Sequence, residues 1–267
     1  MAITTFIPKI WAARLLDKLN RQLVFGSLVN RNYEGEILKY GDTVHINSLE
    51  DITVKAYTPN TDIDAPEQLT TTDTALVIDH GAYYNFYVDD VDKVQARGDL
   101  IDAAMANAAR RIAEDTEAYI LGKITEGAGT KTSGATPTGG IYDLIVMLKM
   151  SMDEKNVPRA GRVLVVPPAV EAELLLDSRF VTGTESGNDR LENGSVARAA
   201  GFEIYISTAL TDKFVAMTRE GVTFAQQLTE VEAYRPEAKF ADGVKGLSLC
   251  GAKVVHPDLV HVHTLTD

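Results

Sequence analysis

A single cysteine, Cys250, stands among the 267 residues of this chain, so no disulfide can form within it. Its Leu249-Cys250-Gly251 surroundings are apolar, which suits a buried, unreactive thiol better than a nucleophile and fits synthesis in a reducing cytosol. No run of about 18 apolar residues is present, which excludes a membrane-spanning helix. Arg14, Asp17 and Lys18 interrupt the only stretch that resembles the core of a signal peptide. Basic residues are few, 26 Lys and Arg against 38 Asp and Glu, for a net charge of −12. A surface of that sign is not drawn to phosphates or anionic lipid headgroups, so no membrane partner is expected, and any DNA it meets is enclosed rather than gripped.

Reaction motifs are missing as well. A phosphate loop needs Lys directly after Gly, and Gly129-Thr130-Lys131-Thr132 separates the two. Neither Gly-x-Ser-x-Gly nor Gly-x-Gly-x-x-Gly occurs, so the nucleophile-elbow and dinucleotide readings fail and no cofactor is expected. His256, His261 and His263 lie near one another, but no thiol or carboxylate cluster at ligand spacing joins them, so no metal is expected. Asp89, Asp90 and Asp92 read as a solvated turn in preference to a divalent-cation site. Asn193-Gly194-Ser195 matches a glycosylation acceptor that has no use without secretion. No catalytic residue is assigned, and a soluble enzyme or a binding module stays as the alternative class.

What is present is a chain that is 45% hydrophobic and long enough to bury one large core or two small ones. Pro8 opens a short amphipathic helix in which Ile10, Trp11, Leu15 and Leu19 recur at spacings of three and four. Two homes are open to that stripe: the parent core, or the surface of a neighbouring subunit.

Thr43–Asn47 and Ile52–Tyr57 then alternate with period two, as strands with one dry face do. A turn-rich tract from Thr58 to Asp73 follows, after which Ala75–Ile78 and Tyr84–Val88 read as returning strands. A two-stranded ribbon is marginal alone in water, because one apolar face and its edges have nothing to cover them. The ribbon is therefore expected to bury itself on another copy, through Lys55, Tyr57, Pro59, Ile63, Pro66 and Leu69.

From Asp99 to Gly127 the period becomes helical, with Ile101, Met105, Ala108, Ile112 and Tyr119 on one stripe. At about 1.5 Å per residue this helix is on the order of 40 Å long, a spine laid across a sheet. Glu126–Gly140 is a Gly, Thr, Ser and Ala linker and the best internal boundary. Beyond it, helices over Tyr142–Met152 and Ala169–Leu176 alternate with strands over Arg162–Val166, Phe202–Ile206, Phe214–Met217 and Gly221–Phe224, an α/β block. Strand patterns return at Glu232–Arg235 and Gly246–Leu265, with the spine helix as their expected cover.

Phe6-Ile7-Pro8-x-x-Trp11, Val29-Asn30-Arg31-x-Tyr33-Glu34-Gly35, Gly41-Asp42-Thr43-Val44, Val88-Asp89-Asp90-Val91-Asp92 and Gly251-Ala252-Lys253-Val254-Val255-His256-Pro257 together resemble the major capsid proteins of tailed bacteriophages. Arg162–Pro168 and Asn193–Phe202 resemble the central domain of such coat proteins, so the likeness runs along nearly the whole chain. It implies an α+β capsid fold: an amino-terminal arm (1–32), an extended β-hairpin loop (33–88), a peripheral domain with a long spine helix (89–138 and 230–267) and an axial domain (139–229).

The function so implied is that of a structural virion protein, self-assembling as pentamers and hexamers of an icosahedral head around double-stranded DNA. Its implied partners are copies of itself, a separate scaffolding protein, a portal and a cement protein, with assembly in the host cytoplasm. Encapsulin-type shells share the fold and remain a second reading. Lys55 has no matched asparagine, which leaves crosslinking between subunits open.

Overall fold

The computed structural model describes residues 23–33, 43–49, 52–57, 59–60, 62, 65–89, 100–177, 198–238 and 240–266. In chain order these form α1 (Phe25–Leu28), β1 (Thr43–Leu49), β2 (Thr71–Val77), β3 (His80–Asp89), α2 (Leu100–Gly127), β4 (Thr130–Gly134) and α3 (Ile141–Glu154). There follow β5 (Arg162–Val166), α4 (Pro168–Leu176), β6 (Arg198–Ala199), β7 (Phe202–Ile206), β8 (Lys213–Thr218), β9 (Val222–Tyr234), β10 (Ala241–Val254) and β11 (Val260–Leu265).

The strands make three sheets: the ribbon β1-β2, a three-stranded sheet β3-β10-β9, and a mixed six-stranded sheet β4-β11-β8-β5-β7-β6. β5 reads Arg-Val-Leu-Val-Val and is buried throughout, because its two faces supply two cores. Leu164 and Val166 meet Leu144, Ile145 and Leu148 of α3 and Val170 and Leu174 of α4. Val163 and Val165 join Val215, Met217, Val260 and Val262 against Ile120 and Ile124 of α2.

α2 spans 28 residues, about 42 Å at about 1.5 Å per residue. Its first half covers the three-stranded sheet, with Met105 and Ala109 on Val231 and Val244. Its second half reaches the six-stranded sheet, so one helix joins both sheets. Its last residue, Gly127, packs close against β10, where a Cβ would stand 2.6 Å from Val254 Cγ2. Gly140, at φ 87°, makes the left-handed turn that starts α3.

Four sequence expectations change. Tyr84–Val88 is not a leg of the ribbon: it lies in β3, paired with β10 from Ala241↔Asp89 to Cys250↔His80. Ile52–Tyr57 pairs with no strand, because the described chain offers it none. The Gly- and Thr-rich linker contains β4, which pairs in parallel with β11 through main-chain bonds that need no apolar side chains. The closing strands divide between two sheets, β10 in the three-stranded one and β11 between β4 and β8 in the six-stranded one, although α2 packs on both. The expected boundary at residues 229 and 230 therefore falls within β9.

Candidate assembly surfaces

The ribbon is dry at its base and wet beyond it. β1 and β2 pair from Thr43↔Val77 to Leu49↔Thr71. Val44, Ile46, Leu76 and Ile78 bury themselves on Ala225 and Leu249, on the face that β9 and β10 turn away from α2. Further out, Ile52 is 66% exposed, Val54 94%, Tyr57 74% and Leu69 61%. The outer tracts are tied by Glu67, which accepts hydrogen bonds from the Thr53 N–H at 3.1 Å and from Thr53 Oγ1 at 3.3 Å.

A polar cluster fastens the ribbon where β2 turns into β3. Asp79 accepts a hydrogen bond from the Tyr119 hydroxyl and an ion pair from Lys123 Nζ at 2.9 Å, both on α2. His80 Nε2 meets Asp115 Oδ2 at 2.6 Å, and its ring stacks on Tyr119 with centroids 4.4 Å apart. Burial opposes ionisation of Asp79, but the Tyr119 and Lys123 donors win and hold its carboxyl below the usual value. Burial, with the Asp79 hydrogen bond, raises the Tyr119 phenol. Cys250 beneath them is pushed up to about 12 by burial first, then by the Asp115 and Asp79 charges, so it is an inert thiol.

A second anchor holds the chain at α1. Glu117 is 5% exposed within the apolar stripe of α2, and its carboxylate accepts from the Phe25 and Gly26 N–H groups that open α1. Burial outweighs these donors and raises its pKa.

The residues singled out from the sequence are distributed as follows. Lys55, Tyr57, Pro59, Pro66 and Leu69 are exposed along the ribbon, and Ile63 lies outside the described residues. Met105 and Ile112 are buried, Ala108 and Tyr119 are half-buried, and the Ile101 side chain lies outside the description, as do Ile10, Trp11, Leu15 and Leu19. The β11 histidines face α3 and β4: His261 Nδ1 and Ser151 Oγ lie 3.1 Å apart, and His263 Nδ1 and Thr132 Oγ1 2.8 Å apart. Among the described residues, no three His, Cys, Asp or Glu side chains gather as metal ligands. Sequence reasoning missed Asp79, His80, Asp115, Glu117 and Lys123. Of these only Glu117 left a readable signal, a charge inside an apolar helical stripe.

A family model described as phage capsid protein matches residues 70–258. The chain belongs to that family. It is 31% identical to a chain of Mycobacterium phage Che8, over 90% of each chain, with a TM-score of 0.75. The capsid structure of cyanophage P-SCSP1u superposes with a TM-score of 0.74 at 14% identity, over 92% of this chain and 88% of that one. A virus-like particle from Pyrococcus furiosus gives 0.63 at 14% identity, over 96% and 98%, a likeness of fold alone. No curated protein matches. This phage capsid protein thus has the tailed-phage capsid fold, mixed helix and sheet, and a structural role in the virion.

Proposed function

We propose that the protein is the major subunit of an icosahedral phage head, assembling as pentamers and hexamers that enclose double-stranded DNA. The observation that carries this reading is the ribbon: its base is buried on its own subunit, while Ile52, Val54, Tyr57 and Leu69 are largely exposed. A neighbouring subunit supplies the missing dry contacts. Each contact is weak, and closure of a shell repeats it many times, so that subunits of this kind bury several thousand Å² in obligate interfaces. The net charge of −12 fits a wall that confines DNA without binding its sequence. A scaffolding protein, a portal and a cement protein complete the proposed set of partners, with assembly in the host cytoplasm.

The test is electron microscopy of the full chain produced alone and together with its scaffolding protein. Closed shells, tubes or capsomers are expected. Small particles alone under both conditions overturn the reading.

A further inference from the structure

The two faces of the three-stranded sheet are covered differently. On β3 the even-numbered Tyr84, Phe86 and Val88 turn to α2, where they pack on Met105, Ala109, Val231 and Val244. Tyr83 and Tyr87 stand on the opposite face, because side chains alternate along a strand. Tyr83 is 80% exposed and Tyr87 50%. Leu247 of β10, directly opposite Tyr83, is 36% exposed. Two positions further along β10, on that same face, Leu249 is buried under the base of the ribbon. One continuous face thus carries the ribbon base at one end and exposed tyrosines at the other.

The polar groups among these tyrosines are paired with one another. Tyr234, opposite Gly243 in the ladder, donates its hydroxyl to Asn85 Oδ1 at 2.7 Å. Lys245 Nζ meets Glu232 Oε2 at 2.7 Å and stands 5.7 Å from the centre of the Tyr234 ring. These side chains are held before any partner arrives, so a partner gains contact at little ordering cost. Tyrosines are among the residues that contribute most at protein interfaces.

Area and charge select the partner. At about 150–250 Å² for a buried aromatic side chain, Tyr83, Tyr87 and Leu247 offer on the order of 300 Å². A stable dimer takes about 800 Å² from each partner, so two such faces laid together fall short. A contact of this size matters only when it is repeated. The ribbon supplies a matching element in its largely exposed Ile52, Val54 and Tyr57. In sequence, Ile52 and Val54 continue the even-numbered alternation of Val44 and Ile46, which sit on this same sheet at the ribbon base. Between Ala56 and Asp73 the ribbon carries Asp62, Asp64, Glu67 and Asp73 but neither Lys nor Arg, so two ribbons laid together repel. The sheet face has Lys245 on its central strand.

We propose, on the shell reading given above, that the outer tract of one copy's ribbon docks through Ile52, Val54 and Tyr57 on the Tyr83, Tyr87 and Leu247 face of a second copy. Ribbon and sheet face are different patches of the same chain, so the contact is head-to-tail, the kind that closes subunits into rings.

The test replaces Tyr83 by p-benzoylphenylalanine in the full chain, mixes isotope-labelled with unlabelled chains, assembles them with the scaffolding protein and irradiates the shells. Mass spectrometry is expected to find position 83 linked to the peptide that holds Ile52, Val54 and Tyr57, with labelled and unlabelled halves combined. Closed shells in which position 83 links to its own chain, to position 83 of another copy, to any other segment or to nothing overturn the inference and leave the shell reading standing. If the unmutated chain forms no shells, both fall. A second variant, Tyr83→Ser with Tyr87→Ser, is expected to keep the melting temperature of the single subunit and to lower the yield of shells several-fold. Shells at full yield from it overturn the docking site.

Discussion

The Glu117 carboxylate accepts the Phe25 backbone N–H at 3.1 Å, across 92 positions of sequence. Helix α1 has only four residues, and its leading N–H groups would be left without partners in a buried setting. Helix α2 supplies the acceptor from its own buried stripe, where a charge stands at a desolvation cost that the bonds only partly offset.

Glu117→Ala is expected to orphan two buried N–H groups and cost about 2–4 kcal/mol in urea unfolding, with amide exchange faster at Phe25 and Gly26. The pH dependence has a definite sign. Burial raises the folded pKa above the ordinary 4.5, so the contribution of this group is full below the ordinary value and is lost as pH rises through the folded one. Glu117→Gln should abolish that component, and an unchanged pH profile would contradict the assignment.

Tyr119→Phe removes the phenol donor from Asp79. Because Asp79 is 43% exposed, screening limits the expected loss to about 1 kcal/mol. A double-mutant cycle with Asp79→Asn should give a coupling of about 0.5–1 kcal/mol. Asp79 is held below its ordinary value, so this stability is present above that value and lost as pH falls through the folded one. Faster exchange confined to the amides around Asp79 and His80 is the local signature.

His261 and His263 are both held below the ordinary 6.5, chiefly by burial. The unfolded chain takes up protons first, so melting temperature should fall as pH drops below about 6.5 and level off once the folded values are passed. His263→Gln should flatten part of that slope. A slope identical to that of the unmutated protein would exclude His263 as a source.

The Tyr84 hydroxyl is buried without a partner, its pKa pushed up to about 12 by burial alone. Tyr84→Phe is therefore expected to be neutral or to stabilise by up to about 1 kcal/mol. Gly246→Ala places a methyl 2.5 Å from the ring atoms Cε1 and Cζ of Tyr84 and should cost about 1–3 kcal/mol. Phenylalanine at 84 should not rescue it, because the ring itself is the obstacle, whereas Tyr84→Leu should. Thermal unfolding of the two double variants separates these outcomes.

Serine at Ile52, Val54, Tyr57 and Leu69 together touches side chains that are largely exposed in the subunit. Single-subunit stability should move by no more than about 0.5 kcal/mol per site. Shells, counted by electron microscopy, should disappear. Intact shells from this variant would remove the ribbon from the interface.

The residues themselves determined the elements whose burial repeats regularly. The stripe of α2 persists over 28 residues, long enough for a period of 3.6 to stand out, and β5 is apolar at four successive positions. The alternation of Ile52–Tyr57 was legible as well, but a strand needs a partner, and pairing is a property of whatever lies beside it. Tertiary structure alone decided that β3 leaves the ribbon for β10, that β4 forms from a tract of Thr, Lys, Ser and Gly, and that β10 and β11 part into different sheets. It also gathered Asp79 of the β2–β3 turn with Asp115, Tyr119 and Lys123 of α2, up to 44 positions apart, a convergence no local pattern encodes. Side-chain periodicity records which face of an element avoids water; main-chain pairing and long-range polar contacts depend on three-dimensional neighbours, and those exist only once the chain has folded.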